Sequence, residues 1–188
     1  MQRVFFTLLF WTLILCACST GLASPQAVPP SPTAAPVALP VTALPPSPQG
    51  CGYQWANQDL PELSSNFQES IQALQPEAQA SAYAFGENCV GMDGSVVSFT
   101  AMETDFNVSL QVDDLANESV LGRWIVQVMQ VIENIPAEQI SGPRPGRVSI
   151  VFQSSTAQSV LNFYINQYQE LPSGLNYAEL YEALHTLQ

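Results

Sequence analysis

Side chains that could carry out chemistry are sparse in this chain of 188 residues. Lysine is absent, and the only histidine, His185, lies three residues before the C-terminus. Serine and cysteine nucleophiles normally need a nearby base, and the sequence has no G-x-S-x-G, S-x-x-K or Gly-rich phosphate motif. We therefore predict no catalytic residue of these classes and no cofactor.

Carboxylates are the remaining candidates, because the chain has 16 acidic residues. Pairs of Asp and Glu hydrolyse glycosidic bonds, but the sequence singles out no pair for that reaction. Glu103 and Asp105 lie two residues apart, and Asp113 precedes Asp114. Either pair offers oxygen ligands for Ca²⁺, yet neither approaches the spacing of an EF-hand loop. We predict no metal site.

The formal net charge is −12 at neutral pH, and every acidic residue follows residue 50. Such a surface repels nucleic-acid phosphates and anionic lipid, so we predict no nucleic-acid partner. Arg144 and Arg147 flank Gly146 in a predicted loop. They could bind an anion, but the interpretation that we favour is neutralisation of the acidic surface.

The N-terminus has the pattern of an export signal. Arg3 precedes an apolar run from Val4 to Leu15, which is shorter than the roughly 20 residues that span a membrane. The run ends in Leu15-Cys16-Ala17-Cys18, which resembles the lipobox of bacterial lipoproteins. The resemblance implies that residues 1–17 are a signal peptide and that Cys18 carries diacylglycerol and a fatty acyl chain such as palmitate, enough for stable anchoring.

This resemblance further implies a location in the cell envelope, where acylated Cys18 inserts into the bilayer on the extracytoplasmic side of the membrane. The alternative is ordinary secretory cleavage after Ala23. Residues 18–50 follow as a predicted disordered tether, since nine of the 15 prolines lie between positions 25 and 49. A Pro-rich ligand for an aromatic groove is the other interpretation, but no charged residue lies between Arg3 and Asp59.

Residues 51–188 are predicted to form one globular acidic domain. Its two cysteines, Cys51 and Cys89, form an even pair in a chain that is sent to an oxidising compartment, which predicts a disulfide. The alternative of a metal site is disfavoured because the two cysteines are far apart and the only histidine is at the C-terminus.

The apolar periodicity predicts the order helix, two strands, helix, two strands, helix. A capping box of Asp59 and Glu62 begins the first helix, which should bury Leu63, Phe67, Ile71 and Leu74. The second helix should run from about Asn117 to Asn134, and the last from Tyr177 to Leu187, burying Leu180, Leu184 and Leu187.

The predicted strands are 78–85, 95–112 with a bulge near 103–105, 147–153 and 158–168. The alternating alanines of the first strand should allow a helix to approach closely. Together the elements predict an α+β fold: a two-layer sandwich with a four-stranded, mainly antiparallel sheet and helices on one face.

Several aromatic and amide side chains have the parity opposite to the apolar residues of these strands. They are Tyr83, Asn162, Tyr164, Asn166 and Tyr168. We predict an uncovered sheet face with Tyr83, Tyr164 and Tyr168 as its binding residues, and the alternative is an ordinary solvated surface.

These features together predict a membrane-anchored lipoprotein whose domain is a non-catalytic binding or envelope-organising module. Its partner would be a protein, a glycan or a cation. The alternative is an envelope hydrolase that acts through paired carboxylates.

Overall fold

The computed structural model describes residues 50–187. The predicted signal peptide, Cys18 and almost all of the predicted tether lie outside the described residues. Within residues 50–187, no helix is both long enough and apolar enough to cross a membrane.

The described chain forms an α+β fold, as predicted, but its sheet has five strands in the order β1-β2-β3-β4-β5. β3 and β4 are parallel, and the other three pairs are antiparallel. The predicted four-stranded sheet was therefore one strand short. The elements are β1 Gly52–Asp59, α1 Pro61–Leu74, β2 Gln79–Val90, β3 Val96–Gln111, α2 Glu118–Glu133, a 3-10 turn Ala137–Gln139, β4 Arg147–Gln153, β5 Gln158–Tyr164, α3 Ile165–Gln169 and α4 Tyr177–His185.

The parallel pair follows from the connection between its strands. Antiparallel neighbours can be joined by a tight turn, whereas parallel neighbours need a crossover. α2 and the loop after it form this crossover. β4 therefore runs in the same direction as β3 and pairs with its second half, from Phe106 to Gln111.

One face of the sheet and the apolar sides of the helices form the core. Ala82, Phe106, Val148 and Phe163 are register neighbours across four strands, and all are buried. α1 covers this face with Leu63, Phe67 and Ile71, and the Phe67 ring meets Phe106 edge-on at 5.1 Å between centroids. α2 adds a buried apolar stripe, namely Leu121, Ile125, Val128 and Ile132.

The close approach predicted at the alanines of β2 is confirmed. The Ser64 hydroxyl donates to the carbonyl of Ala82 at 2.7 Å and accepts from its N–H at 2.9 Å. One turn later, the Gln68 amide donates to the carbonyl of Ala78 at 2.9 Å and accepts from the N–H of Ala80. Ala82 is buried beneath the helix, and its small side chain leaves room for this approach.

The predicted start of α1 is wrong. Asp59 is the last residue of β1, and the N-cap is Leu60, which makes no side-chain capping bond. Pro61 occupies the first turn, where its fixed φ favours helix and its missing N–H costs nothing. At the other end the helix stops before Pro76, and Leu74 is exposed, contrary to the prediction that it is buried.

The bulge in β3 is confirmed close to its predicted place. Glu103 pairs with Phe85 and Ala101 pairs with Gly86, which leaves Met102 as the extra residue. A Cβ atom on Gly86 would lie 2.1 Å from the Thr100 carbonyl oxygen, so the bulge requires glycine opposite it.

The predicted fourth strand is too long, because β5 ends at Tyr164 and α3 follows. Asn166 and Tyr168 are therefore helical. The last helix begins after Asn176, and Leu184 is buried while Leu187 is exposed, contrary to the prediction for Leu187.

Asn176→Ala is expected to lower the free energy of unfolding by about 1 kcal/mol. The Asn176 side chain accepts hydrogen bonds from the backbone N–H groups of Ala178 and Glu179 at 3.0 and 3.1 Å, and alanine would leave both without this partner. Urea denaturation measures the change. Asn57→Ala, at an exposed position of β1, is the control and should change stability by less than half as much.

Candidate binding face

The candidate binding surface is the side of the sheet opposite the helices, which is called the open face below. Tyr83 lies opposite Asp105, and Arg147 lies opposite Tyr164. Each of these residues is next in sequence to a core residue of the same strand. Because successive side chains of a strand point to opposite sides, the four side chains form one row on the open face.

Arg147 of β4 contacts two other side chains of this row, one on β3 and one on β2. Its guanidinium lies 3.9 Å from the Asp105 carboxylate and donates to the Tyr83 hydroxyl at 3.2 Å. The backbone N–H of Arg147 donates to the same carboxylate at 2.7 Å. The hydrogen bond to Tyr83 is the main cause that raises the pKa of Arg147, so this residue stays a cation.

A second ion pair lies beside the first. The Arg144 guanidinium is 3.8 Å from the Glu103 carboxylate, and the two residues also form an isolated parallel bridge. The loop before β4 packs tightly on β3 here, since a Cβ on Gly146 would lie 1.7 Å from the Thr104 carbonyl oxygen. The structure thus pairs Arg144 of this loop and Arg147, the first residue of β4, with carboxylates of β3.

The two carboxylates are buried, although they lie on the open face. Burial is the largest cause that raises the pKa of Glu103, the negative charge of Asp105 raises it further, and Arg144 and Arg147 oppose the rise. The net effect of this environment is to raise the pKa of Glu103 in spite of its ion pair.

Glu103→Gln is expected to flatten the pH dependence of stability. A carboxyl whose folded pKa is raised stabilises the fold fully below the unfolded pKa, and this contribution is lost as the pH rises through the folded pKa. Glutamine cannot ionise, so the variant should gain stability relative to the parent as the pH rises above the ordinary carboxyl range. Urea denaturation at several pH values between about 4 and 7 measures this.

Asp93→Asn provides a comparison of opposite sign. The exposed Asp93 carboxylate accepts hydrogen bonds from the Ser95 hydroxyl and backbone N–H at 2.7 and 3.0 Å, which lower its pKa. Its contribution is present above the unfolded pKa and is lost as the pH falls through the lower folded pKa, so this variant should lose stability relative to the parent as the pH rises from about 2 to 5. A Glu103→Gln variant that behaved in the same direction as Asp93→Asn would contradict the account.

The predicted binding tyrosines do not form a single group. Tyr83 and Tyr164 lie on the open face on either side of Arg147. Tyr168 lies in α3, where its ring packs on the core residue Phe163 at 6.4 Å between centroids. Burial raises the pKa of Tyr168. The prediction continued β5 by four residues beyond its true end, which placed Tyr168 in the wrong element.

A more exposed aromatic group was missed by sequence reasoning. Tyr53 and Trp55 of β1 are 71% and 63% exposed. The Trp55 ring stacks on Phe85 at 5.3 Å between centroids, and Glu87 is the register partner of Trp55. All four side chains share the open face. The alternation of Tyr53 and Trp55 directly after Cys51 was the available signal.

These aromatic residues belong to a part of the sheet called the arm below, which consists of β1 and residues 85–101. The arm extends past β4, whose continuous pairing with β3 begins at Phe106. None of the arm residues belongs to the buried apolar core of the described chain. The arm therefore depends on its backbone ladder, on surface contacts such as the stacking of Trp55 on Phe85, and on one covalent link.

That link is the predicted disulfide between Cys51 and Cys89, whose Cα atoms are 5.3 Å apart. Because Cys89 pairs with Tyr53 in the sheet register, the disulfide fastens the first residues of β1 to β2. The prediction of this disulfide is confirmed.

No group of three or more His, Cys, Asp or Glu side chains among residues 50–187 is placed to hold a metal ion. Comparison of the chain with known protein families, with curated proteins and with solved structures gives no match.

Proposed function

We propose that this protein is a non-catalytic binding module that is held on the extracytoplasmic side of a membrane by a lipid on Cys18. Residues 18–50 act as the tether, and the domain that follows presents its open face to a partner.

The observation that carries the proposal is the exposure of Tyr53 and Trp55 on the arm. Large aromatic side chains left in water beside one another are a common mark of an interaction surface. Neither residue contributes to the core, so folding alone does not explain why aromatic side chains occupy these positions.

Hydrolysis through paired carboxylates is the second candidate. The raised pKa of Glu103, two residues from Asp105 on the same face, is the observation in its favour. However, each carboxylate is buried against an arginine, and this arrangement also serves to fasten the loop before β4. Hydrolysis of a glycan that both Glu103→Gln and Asp105→Asn abolish would support this second candidate over the first.

Capture of partners from envelope extracts tests the binding proposal. The full chain is immobilised beside its Trp55→Ala variant, and the captured molecules are compared. We expect the variant to lose most of a partner that the parent retains, because truncation removes the exposed ring and its stacking on Phe85.

Tyr177→Ala is the matched control, since Tyr177 is an exposed aromatic residue at the start of α4, away from the open face. This variant should capture the same molecules as the parent. Equal capture by the parent and by Trp55→Ala would contradict a role for the arm.

A further inference from the structure

We propose that the arm binds an extended, lysine- or arginine-bearing segment of a partner protein, which adds to the sheet as a strand beside β1. This inference rests on the proposed binding function and specifies its partner. It depends on three separate properties of the arm: its backbone edge, its aromatic surface and its charge.

The first property is an unprotected edge. β1 pairs with β2 over eight consecutive residues without a register shift, and on its other side it pairs with no strand among residues 50–187. Sheet edges are usually protected by lysine, proline or a bulge, and Gly52–Asp59 has none of these. Its outward N–H and C=O groups are therefore available to an added strand.

The second property is an aromatic surface beside a carboxylate. Phe85 stacks on one side of the Trp55 ring at an interplanar angle of 14°, and the ring remains 63% exposed. Glu87 lies directly across from Trp55. A lysine or arginine side chain placed over the indole would gain both a cation–π contact and an ion pair.

The third property is the charge of this part of the chain. Residues 51–102 contain no lysine, arginine or histidine. The ion pairs of the described residues involve only Arg144 and Arg147, so the carboxylates of the arm are not neutralised within residues 50–187. The acidic residues of this stretch are Asp59, Glu62, Glu69, Glu77, Glu87 and Asp93.

The charge also decides between two occupants of the edge. A second copy of this chain would bring another acidic arm against the first, and like charges across an interface are unfavourable. A basic segment meets complementary charge instead. Trp55 and Asp59 lie four residues apart on the same side of β1, so the best segment carries its cations at the same spacing.

A designed octapeptide, acetyl-TKTVTKTV-amide, is the probe, because its two lysines lie four residues apart on one side of a strand. Binding to the full chain is followed by fluorescence anisotropy of the labelled peptide. We expect saturable binding that weakens with added salt, and at least tenfold weaker binding of the matched peptide TETVTETV. Equal binding of the two peptides would overturn the assignment of a basic partner.

Three variants of the chain locate the site. Trp55→Ala should weaken binding of the lysine peptide about tenfold, and Glu87→Gln roughly threefold to tenfold. Glu182→Gln removes the same charge from α4 and should leave binding unchanged. Thermal unfolding of each variant checks that the fold is retained. Equal weakening by Glu87→Gln and Glu182→Gln would show that the peptide is attracted by the overall negative charge of the protein. The assignment of the binding site to the arm would then be wrong.

Backbone methylation tests strand addition itself. Two versions of the lysine peptide are made, one N-methylated on its odd-numbered residues and the other on its even-numbered residues. One of the two versions therefore loses the N–H groups that face β1. One version should bind at least tenfold more weakly than the other. If both bind like the unmodified peptide, no strand is added and the inference is wrong.

Failure of this inference differs from failure of the proposed function. If Trp55→Ala abolishes capture of an envelope partner while the lysine peptide does not bind, the arm is a binding site for a different chemistry. If the peptide does not bind and Trp55→Ala leaves capture unchanged, both proposals are wrong.

Discussion

Replacing both Cys51 and Cys89 with serine is expected to lower the free energy of unfolding by up to about 4 kcal/mol. The disulfide closes a loop with a sequence separation of 38 residues, and the chain-entropy relation gives this figure for such a loop. Urea denaturation without reductant measures the loss. The same treatment with reductant should lower the stability of the parent to that of the variant and leave the variant unchanged.

The arm should show the largest local effect of this double substitution. Its residues contribute nothing to the core, so their protection from hydrogen exchange depends on the ladder and on the disulfide. Amide exchange in residues 52–55 should become faster by a larger factor than exchange in β4. A loss of stability below about 1 kcal/mol, with unchanged exchange in β1, would mean that the link contributes little.

Cys18→Ser is expected to move almost all of the protein from the membrane fraction to the soluble fraction. Each buried methylene of an acyl chain contributes about 0.8 kcal/mol to membrane binding, and two or more chains together anchor a protein stably. Serine has no thiol for the thioether bond, so the variant would carry no lipid. Fractionation of cells and mass spectrometry of the mature protein measure the change.

Cys16→Ser is the matched control for this substitution. Position 16 lies within the predicted signal peptide, so this variant should remain with the membrane and carry the same acyl mass on residue 18. A mature chain that begins at Ser24 without acyl groups would show that the signal is an ordinary secretory one and would remove the anchor from the proposal.

Local pattern was sufficient to predict the elements that bury one regular face. α2 has Asn117 as its cap and a stripe of apolar residues at helical spacing, and it lies within one residue of its predicted bounds at either end. β4 alternates between Val148, Ile150 and Phe152 and spans the predicted residues. In both elements, the apolar residues recur at the positions that are buried in the structure, so the sequence pattern alone predicts the element.

β1 could not be predicted in this way, because nearly all of its residues are exposed and it has no buried apolar face. Its pairing is decided by β2 and by a disulfide to a residue 38 positions away. At the end of β5, the Tyr164 N–H donates to the Gln167 side chain at 2.7 Å. Such a local bond competes with a strand ladder, and the apolar pattern does not record it.

The site was predicted only in fragments. Glu103 with Asp105 and Arg144 with Arg147 were recognised as two separate groups, because about 40 residues lie between them in the sequence. The parallel pairing of β3 with β4 brings them together, and that pairing depends on the crossover through α2. Their ion pairs follow from topology rather than from spacing.

The most direct test of a binding arm is photo-crosslinking in intact cells that make the full chain. The photoreactive residue p-benzoylphenylalanine is placed at position 55 of β1 or, as a control, at exposed position 158 of β5 on the opposite edge of the sheet. We expect a discrete crosslinked product of higher mass from position 55 and none from position 158. Products from position 158 alone, or from neither position, would rule out a binding role for the arm.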